Sequence, residues 1–172
     1  DLADGPQNDH QVWVLQICRQ LDLALPNGVD VLAADIVDRS VDSLQKAVES
    51  CTWQIEVDGI DYVNATQWVD EFLSREQIVV ERERKGRAVR EDVRAQVFAL
   101  DVTRSTNQGV RLVTELGTQP RAFRPTELLA AIDPPLHARS VRRMNQWMSQ
   151  GGERVEPLAA DAAPNTLAET RV

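Results

Sequence analysis

The strict alternation of apolar and polar residues in Trp53-Gln54-Ile55-Glu56-Val57 constrains the fold more than any other feature of the sequence. A side-chain period of two places the apolar residues of this segment on one face, which is typical of a β-strand with one buried side. Upstream of it, apolar residues recur every three or four positions, as they do along one side of a helix. The change of period indicates that helices and a sheet are combined in one chain.

From this strand onward the sequence predicts a regular order of elements. Asn64 followed by Gln67 resembles a capping box that opens a helix ending at Ser74. The further predictions are a strand over Ile78 to Arg84, a polar link around Lys85-Gly86-Arg87, strands over Val97 to Val102 and Val110 to Leu116 joined as a hairpin, a helix from Pro125 to Ile132, and a strand over Ser140 to Met148. This order is that of an α+β, ferredoxin-like split βαβ sandwich, in which helices cover one face of a mainly antiparallel sheet. The other face is left open, and in such folds it often binds nucleic acid or another protein.

The region before Trp53 predicts a helix, strand and helix that belong to the remnant of a second α/β unit. Asp9 can cap a helix that stops at Pro26-Asn27-Gly28, Val29 to Val37 is a strand candidate, and Val41 to Cys51 carries a helical apolar stripe. The expected organisation is a disordered leader over 1–8, the remnant over 9–50, the ferredoxin-like domain over 51–148 and a disordered tail over 149–172. Because the chain begins without an initiator Met or a signal peptide, we expect that it was cut from a longer protein.

Composition narrows the class of protein. A chain of 172 residues, 42% of them hydrophobic, is typical of one ordinary or two small globular domains rather than of a disordered protein. No stretch approaches the roughly 18 apolar residues that a transmembrane helix needs, so we expect a cytoplasmic protein without membrane contact. The basic residues are 17 Arg and 2 Lys, a bias that is typical of a GC-rich coding sequence and indicates a bacterial protein. Cys18 and Cys51 are too few for a disulfide framework or a Cys-only zinc site, and we expect both to be buried.

Positive charge is concentrated in one segment of an acidic chain. The formal net charge is −8, yet residues 82–94 carry six basic side chains against three acidic ones. The basic residues are Arg82, Arg84, Lys85, Arg87, Arg90 and Arg94. Long side chains at a strand end and its turn can reach outward and hold RNA phosphates through charge-assisted hydrogen bonds. The alternative is a solvated hairpin with local ion pairs, which the acidic remainder of the chain and the lack of an RNA-binding aromatic pattern favour.

A second group of arginines, Arg139, Arg142 and Arg143, lies near Trp147 on the last predicted strand. Strict alternation puts Arg139 and Arg143 on one face and Arg142 on the other. Solvated charges that protect an edge strand from aggregation are therefore the favoured interpretation.

The sequence predicts no independent catalysis. His10 and His137, the latter near Asp133, form neither an H-E-x-x-H zinc pair nor the context of a nucleophile and its base. Walker, G-x-G-x-x-G and G-x-S-x-G motifs do not occur in the sequence. We therefore expect no catalytic residue, no resident cofactor and no metal site in this chain.

Several short motifs occur in a fixed order between residues 20 and 161. They are Ala24-Leu-Pro-Asn-Gly-Val-Asp-Val-Leu32, Ser43-Leu44 with Trp53, Phe72-Leu73 leading to Ile78-Val-Val-Glu-Arg82 and Lys85-Gly86, Arg124-Pro125-Thr-Glu-Leu-Leu129, and Glu156-Pro-Leu-Ala-Ala-Asp161. In order and spacing they resemble the uncharacterised radical-SAM-associated protein family, in its actinobacterial form.

The resemblance implies a protein encoded beside, or fused to, a radical SAM enzyme with a cobalamin-binding type region, often near genes for ribonuclease E/G and ribosomal proteins. It also implies that the usual first half of the family's proteins, a further unit of strands and helices, would lie upstream of Asp1. The three-cysteine motif of a radical SAM iron–sulfur centre is missing, because Cys18 and Cys51 lie 33 residues apart. We therefore expect a non-catalytic accessory or substrate-binding module that works with a radical SAM enzyme and contacts RNA or a ribosomal component. The alternative is a structural or protein-interaction domain without nucleic-acid contact, and an independent enzyme is the third possibility.

Overall fold

The computed structural model describes residues 6–31, 34, 36–37, 42–131 and 134–158. The chain divides into two compact units, one made of residues 1–43 and 157–172 and the other of Leu44–Glu156. The second unit begins at Leu44 with a short helix, and its first strand begins at Val48. The domain boundary expected at residue 51 stays a prediction.

In the first unit, helix α1 covers Pro6–Ala24 and ends close to the predicted stop at Pro26. It begins before Asp9, so the prediction that Asp9 caps this helix is wrong, and residues 6–8 of the expected disordered leader are helical. Gly28, at φ +91°, lies in the turn that follows. The strand predicted over Val29 to Val37 is wrong for residues 29–31, 34, 36 and 37, and residues 32, 33 and 35 lie outside the described part of the chain. The Val31 amide instead donates to the Asp22 carboxylate at 2.9 Å. Its hydrogen-bond partner is therefore a side chain and not the backbone of a neighbouring strand.

The second unit contains the sheet and its helices. In chain order these are α2 (Leu44–Ala47), β1 (Val48–Asp58), α3 (Tyr62–Ser74), β2 (Val79–Arg84), β3 (Arg87–Asp92), a 3₁₀ turn (Arg94–Gln96), β4 (Val97–Ser105), β5 (Gly109–Gly117), α4 (Pro125–Ala130), β6 (Ala138–Gln150) and β7 (Glu153–Val155). Five strands form an antiparallel sheet in the order β4-β5-β1-β6-β7, and β2 and β3 form a separate two-stranded sheet. The chain therefore belongs to the α+β class, as predicted.

The core lies on one face of the five-stranded sheet. Ile55 and Val57 of β1 are fully buried, which confirms the alternation in residues 53–57, and their partners Leu112 and Val110 in β5 are equally buried. Helix α3 packs Trp68, Val69 and Phe72 into the same core, and α4 adds Leu128 and Leu129. Because these apolar groups are all on the side of the helices, the polar residues between them in β1 and β5 lie on the opposite face.

Helix α3 is capped one turn earlier than predicted. Asp61, in extended conformation, is the N-cap, and its carboxylate accepts a hydrogen bond from the Asn64 amide at 2.8 Å. Asn64 is therefore the third helical residue rather than the cap. The helix ends at Ser74, as predicted.

The polar link predicted around Lys85-Gly86-Arg87 is a two-residue hairpin turn that leads into strand β3. Lys85 and Gly86 have φ angles of +51° and +74°, and Arg84 pairs directly with Arg87. Two consecutive positive φ angles are typical of the turns that join tightly paired strands. The sequence did not predict β3, because Val89 is its one large apolar residue.

The helix predicted from Val41 to Cys51 is wrong beyond the single turn of α2, since β1 begins at Val48. The register of β1 against β6 shifts between Val48 and Ser50, which leaves one extra residue in β1. Such a β-bulge spaces buried residues three apart and so imitates the period of a helix.

Part of the segment expected to be a disordered tail belongs to the sheet. Strand β6 continues to Gln150 and pairs with β7, which covers Glu153–Val155. Residues 159–172 and residues 1–5 of the expected leader lie outside the described part. None of the helices in the described part combines the length and the apolar character needed to cross a membrane.

Candidate anion-binding site

The face of the sheet opposite the core, here called the polar face, carries charged side chains from adjacent strands. Glu56 lies on it because its neighbours Ile55 and Val57 point into the core. Glu56 pairs with Arg111 of β5, and both side chains are half-buried. These two residues form the centre of the site described below.

A β-bulge in β4 places Arg104 on the polar face. The register of β4 against β5 shifts between Val102 and Arg104, so Arg104 pairs with Arg111 and Thr103 is an extra residue. In a regular register, Arg104 would stand opposite Val110, whose side chain is fully buried. The bulge therefore turns the arginine from the core side to the polar side.

A second bulge has the same effect in β6. The register shifts between Glu56 and Val57, so that Ser140 pairs with Glu56 and Arg139 is the extra residue. In a regular register, Arg139 would stand opposite Val57 on the core side. Instead, its guanidinium pairs with the carboxylates of Glu56 and Asp58, the latter at 3.1 Å from Nε.

Because of this bulge, the arginines of β6 are distributed between the two faces of the sheet differently from the prediction. Arg142 pairs with Gln54 and lies on the polar face, so Arg139 and Arg142 share that face. Arg143 pairs with Trp53 and lies 5.8 Å from the centre of its ring, on the core side of the sheet. The prediction that Arg139 and Arg143 share a face is wrong, because it assumed an unbroken period of two.

Glu56 orients the arginines around it. Arg111 Nη2 lies 2.6 Å from Glu56 Oε1, and this hydrogen bond is the main cause that holds the pKa of Glu56 below its usual value. Burial opposes the shift, and the positive charges of Arg139, Arg111 and Arg104 reinforce it. We call Arg104, Arg111 and Arg139 with Glu56 the arginine row. With Asp58 included, three guanidinium groups face two carboxylates, so one positive charge is in excess.

A cleft of about 440 Å³ opens beside the arginine row. It is lined by Glu56, Arg104, Ser105, Thr106, Asn107, Gln108 and Arg139. The two arginines placed by the bulges therefore stand beside the hydroxyl and amide donors of the β4–β5 turn. Guanidinium, hydroxyl and amide donors around one cavity are suited to a phosphate or carboxylate group.

The β4–β5 turn is closed by its own hydrogen bonds and packs closely against β1. The Thr106 amide donates to the Gly109 carbonyl at 2.8 Å, and the Thr106 hydroxyl accepts from the Gly109 amide at 3.0 Å. A Cβ on Gly109 would lie 2.0 Å from the Val57 carbonyl oxygen, so only glycine fits at this position. The wall of the cleft is thus fixed by backbone contacts.

Among the singled-out basic residues whose side chains the structure describes, Arg82 is the most deeply buried. Its Nε and Nη2 lie 2.8 and 2.9 Å from the two carboxylate oxygens of Glu127, and Nη1 lies 2.8 Å from Glu91. The guanidinium also lies 5.7 Å from the centre of the Phe123 ring. Burial alone would lower the pKa of Arg82, but the hydrogen bonds that its guanidinium donates to Glu127 and Glu91 raise it above its usual value. The expectation that this side chain reaches outward is wrong, because α4 supplies a carboxylate that sequence order does not reveal.

Arg94 is also used within the fold. Its guanidinium donates to the carbonyls of Leu73 at 3.1 Å and Arg75 at 3.2 Å, where α3 ends. Unpaired carbonyls at a helix end need such donors. Arg94 therefore terminates a helix.

Three of the remaining predicted residues, Lys85, Arg87 and Arg90, lie toward the outside of the β2–β3 hairpin. Lys85 and Arg87 are exposed at the turn, and Arg90 is exposed opposite Glu81. The backbone of Arg84 pairs with Arg87, and its side chain lies outside the described part. The six predicted residues therefore do not form one surface. At the turn of the hairpin, Lys85 and Arg87 are the positive charges whose exposed side chains the structure describes.

The histidines and cysteines do not converge on a site in the described part. His137 is exposed, and the side chain of His10 and residue Asp133 lie outside that part. Among the residues described, no group of three or more His, Cys, Asp and Glu side chains could hold a metal ion. Cys18 and Cys51 are buried, as predicted, and burial raises the pKa of the Cys51 thiol, an effect that Arg143 only partly offsets.

The sequence analysis did not predict the arginine row, because β-bulges place Arg104 and Arg139 on the polar face. One signal for such bulges is present in the sequence, namely apolar residues that are three apart in a strand rather than two. Val97 and Leu100 show this spacing in β4, and Ala138 and Val141 show it in β6. The β6 pair brackets Arg139, whereas the shift that places Arg104 has no comparable signal.

The fold and this site define an α+β protein whose sheet carries arginines on the face away from its helices. A family described as "Uncharacterized protein conserved in bacteria (DUF2344)" matches residues 8–125, which is more than half of the chain. The chain belongs to this family. The match includes Arg104 and Arg111, and its description names neither a radical SAM enzyme nor an actinobacterial group, so both remain predictions. Neither the curated proteins nor the solved structures include a match to the chain.

Proposed function

We propose that this chain is a non-catalytic accessory module that holds phosphate groups of RNA, free or in a ribosomal component, on its arginine row for a radical SAM enzyme. The observation that carries the proposal is the pair of bulges in β4 and β6, which turn Arg104 and Arg139 onto one face beside Arg111. Bulges are common beside functional sites, where they redirect side chains. Two bulges that converge on one cluster of arginines favour a binding role over charges that merely protect an edge.

The electrostatics of the row fit a phosphate better than a neutral ligand. Glu56 and Asp58 hold Arg139, Glu56 holds Arg111, and these ion pairs limit the freedom that the side chains lose on binding. Arg104 is exposed and faces the same cleft. A phosphate in the cleft can therefore meet oriented guanidinium groups together with the donors of the β4–β5 turn.

The strand order supports a ferredoxin-like split βαβ fold, which is part of this proposal. Read from β6 through β1 and β5 to β4, all neighbours are antiparallel, and α3 and α4 both contribute to the core on one face. This is the order of a ferredoxin-like split βαβ sandwich, with the β2–β3 hairpin inserted between α3 and β4 and β7 added at the edge. In that arrangement the arginine row lies on the face of the sheet opposite α3 and α4.

The partner in the proposal rests on the resemblance to radical-SAM-associated proteins. Its test is co-expression with the radical SAM protein encoded nearest to this gene, followed by purification through a tag on either protein. We expect a complex in which the iron belongs to the radical SAM subunit. Stoichiometric iron bound to this chain alone would contradict the accessory role.

RNA binding is tested by fluorescence anisotropy with labelled RNA at several salt concentrations. The double variant Arg104→Gln with Arg139→Gln should weaken binding on the order of a hundredfold near physiological salt and flatten the salt dependence, because each lost phosphate contact removes about one unit or less from the log–log slope. The control is Lys85→Gln with Arg87→Gln, which removes the same charge from the β2–β3 turn and should have a much smaller effect.

Equal losses in the two double variants would mean that only net charge matters, and would contradict a defined site. Failure of the unmodified chain to bind RNA at micromolar concentration would also contradict it. A protein captured through the same face in that case would favour the protein-interaction role.

A further inference from the structure

A second feature of the polar face lies at the end of β6 away from the arginine row. The guanidinium of Arg154, in β7, lies 3.9 Å from the centre of the Trp147 ring. The indole Nε1 donates to the Thr52 hydroxyl at 2.7 Å, which fixes the ring on the sheet. We call Arg154 with Trp147 the stacked pair.

Arg154 is held in place but remains accessible. Its Nη2 lies 2.7 Å from Glu115, whose other carboxylate oxygen accepts a hydrogen bond from the Ser50 hydroxyl at 2.6 Å. The Arg154 side chain is nevertheless 52% exposed. A guanidinium that lies over an indole and is tethered by one carboxylate keeps its outer side free to meet a further flat group.

The stacked pair and the arginine row are connected along the same face. Glu56 and Thr52 are four residues apart in β1, a separation of about 13 Å along the strand. Gln54 lies between them, and its partner Arg142 is exposed on the polar face. Strand β6, which borders this path, contains arginines and no acidic residue.

We infer that the polar face binds single-stranded rather than double-stranded RNA, with phosphates on the arginine row and Arg142 and one unpaired base on the stacked pair. The inference rests on the proposed function and adds the form of the RNA to it. Single strands are recognised by bases that stack on aromatic rings and on guanidinium planes, beside a positively charged path for the backbone. In a duplex the bases are already stacked on each other and do not reach such a surface.

The test compares three labelled probes of equal length: a single-stranded RNA, the same strand with abasic sites, and the duplex. The unmodified chain should bind the single strand on the order of tenfold more tightly than the abasic strand, which keeps the phosphates but has no base to stack. The variant Arg154→Lys with Trp147→Leu keeps the charge next to Glu115 and removes both flat groups of the stacked pair, so it should bring this ratio close to one. The control Arg87→Lys makes the same arginine-to-lysine exchange at the β2–β3 turn and should leave the ratio as it is.

The outcomes separate the inference from the proposed function. Equal binding of the RNA and abasic strands, with both lost in the Arg104→Gln and Arg139→Gln variant, would overturn the stacking inference and leave phosphate binding intact. Tighter binding of the duplex than of the single strand would overturn the inference as well. No binding of any of the three probes would overturn both.

Discussion

Two parts of this molecule carry arginines on β-strands, and they use them in opposite ways. In the β2–β3 hairpin, Arg82 points inward and is 5% exposed, with its guanidinium divided between Glu127 and Glu91. On the polar face, Arg104 and Arg139 are turned outward by bulges into a shared cleft. The segment with the highest density of positive charge is therefore not the one with the best-formed site. Whether an arginine is buried in an ion pair or faces the cleft depends on the groups next to it in the fold, and not on the charge density of its own segment.

The largest expected effect comes from the turn that supports the polar face. In Gly109→Ala the new Cβ would collide with the Val57 carbonyl, so we expect a loss of roughly 3 kcal/mol or more in the free energy of unfolding. Gly117→Ala, at the other end of β5, meets Gln96 and Phe98 only at 3.4 Å or more and should be tolerated much better. Urea denaturation of both variants checks this, and equal stabilities would contradict the tight contact at Gly109.

The next largest effect is the difference in the free energy of unfolding between a variant of the buried Arg82 and a variant of the exposed Arg104. Arg82→Met removes the partner of two partly buried carboxylates and should cost roughly 2 kcal/mol, since breaking such a pair leaves charge unpaired. Arg104→Met, on the exposed side of the polar face, should change stability by roughly 0.5 kcal/mol or less. The same urea experiment measures both. If Arg104→Met were the more damaging exchange, the comparison between the two regions would be wrong.

A smaller effect is expected in the pH dependence of stability. Burial by itself raises the pKa of Glu127, but the hydrogen bonds from Arg82 and from the Arg124 amide bring it below its usual value. A carboxyl group whose pKa is lowered by folding stabilises the fold above the unfolded pKa, and this contribution is lost as the pH falls through the lower, folded value. We expect stability to decline below about pH 4.3.

The variant Arg82→Met tests the cause of that decline. Without the guanidinium, the pKa of Glu127 should rise, and the part of the acid-induced loss that Glu127 causes should shrink. Denaturant titrations at pH 7, 5, 4 and 3 measure it. An unchanged pH profile in the variant would mean that Glu127 does not depend on Arg82.

The elements that could be predicted from the sequence are those set by neighbouring residues. The alternation in residues 53–57, the helix ending at Ser74 and the β4–β5 hairpin depend on local periods and turn residues, and all three are present. The burial of Arg82 depends on Glu127, 45 residues away, which no local pattern indicates. The faces of Arg104 and Arg139 depend on single extra residues in β4 and β6, and an unbroken period of two assigns Arg139 to the wrong side.

We predict that the polar face, and not the β2–β3 hairpin, holds RNA phosphates. Arginine side-chain NMR tests it most directly, because each Nε–H group reports its own hydrogen bonding while a short single-stranded RNA is added. We predict that the signals of Arg104, Arg111 and Arg139 shift during the titration, whereas the signal of Arg82, whose Nε donates to Glu127, stays unchanged. Shifts confined to the hairpin arginines, with those of the arginine row unmoved, would contradict the account.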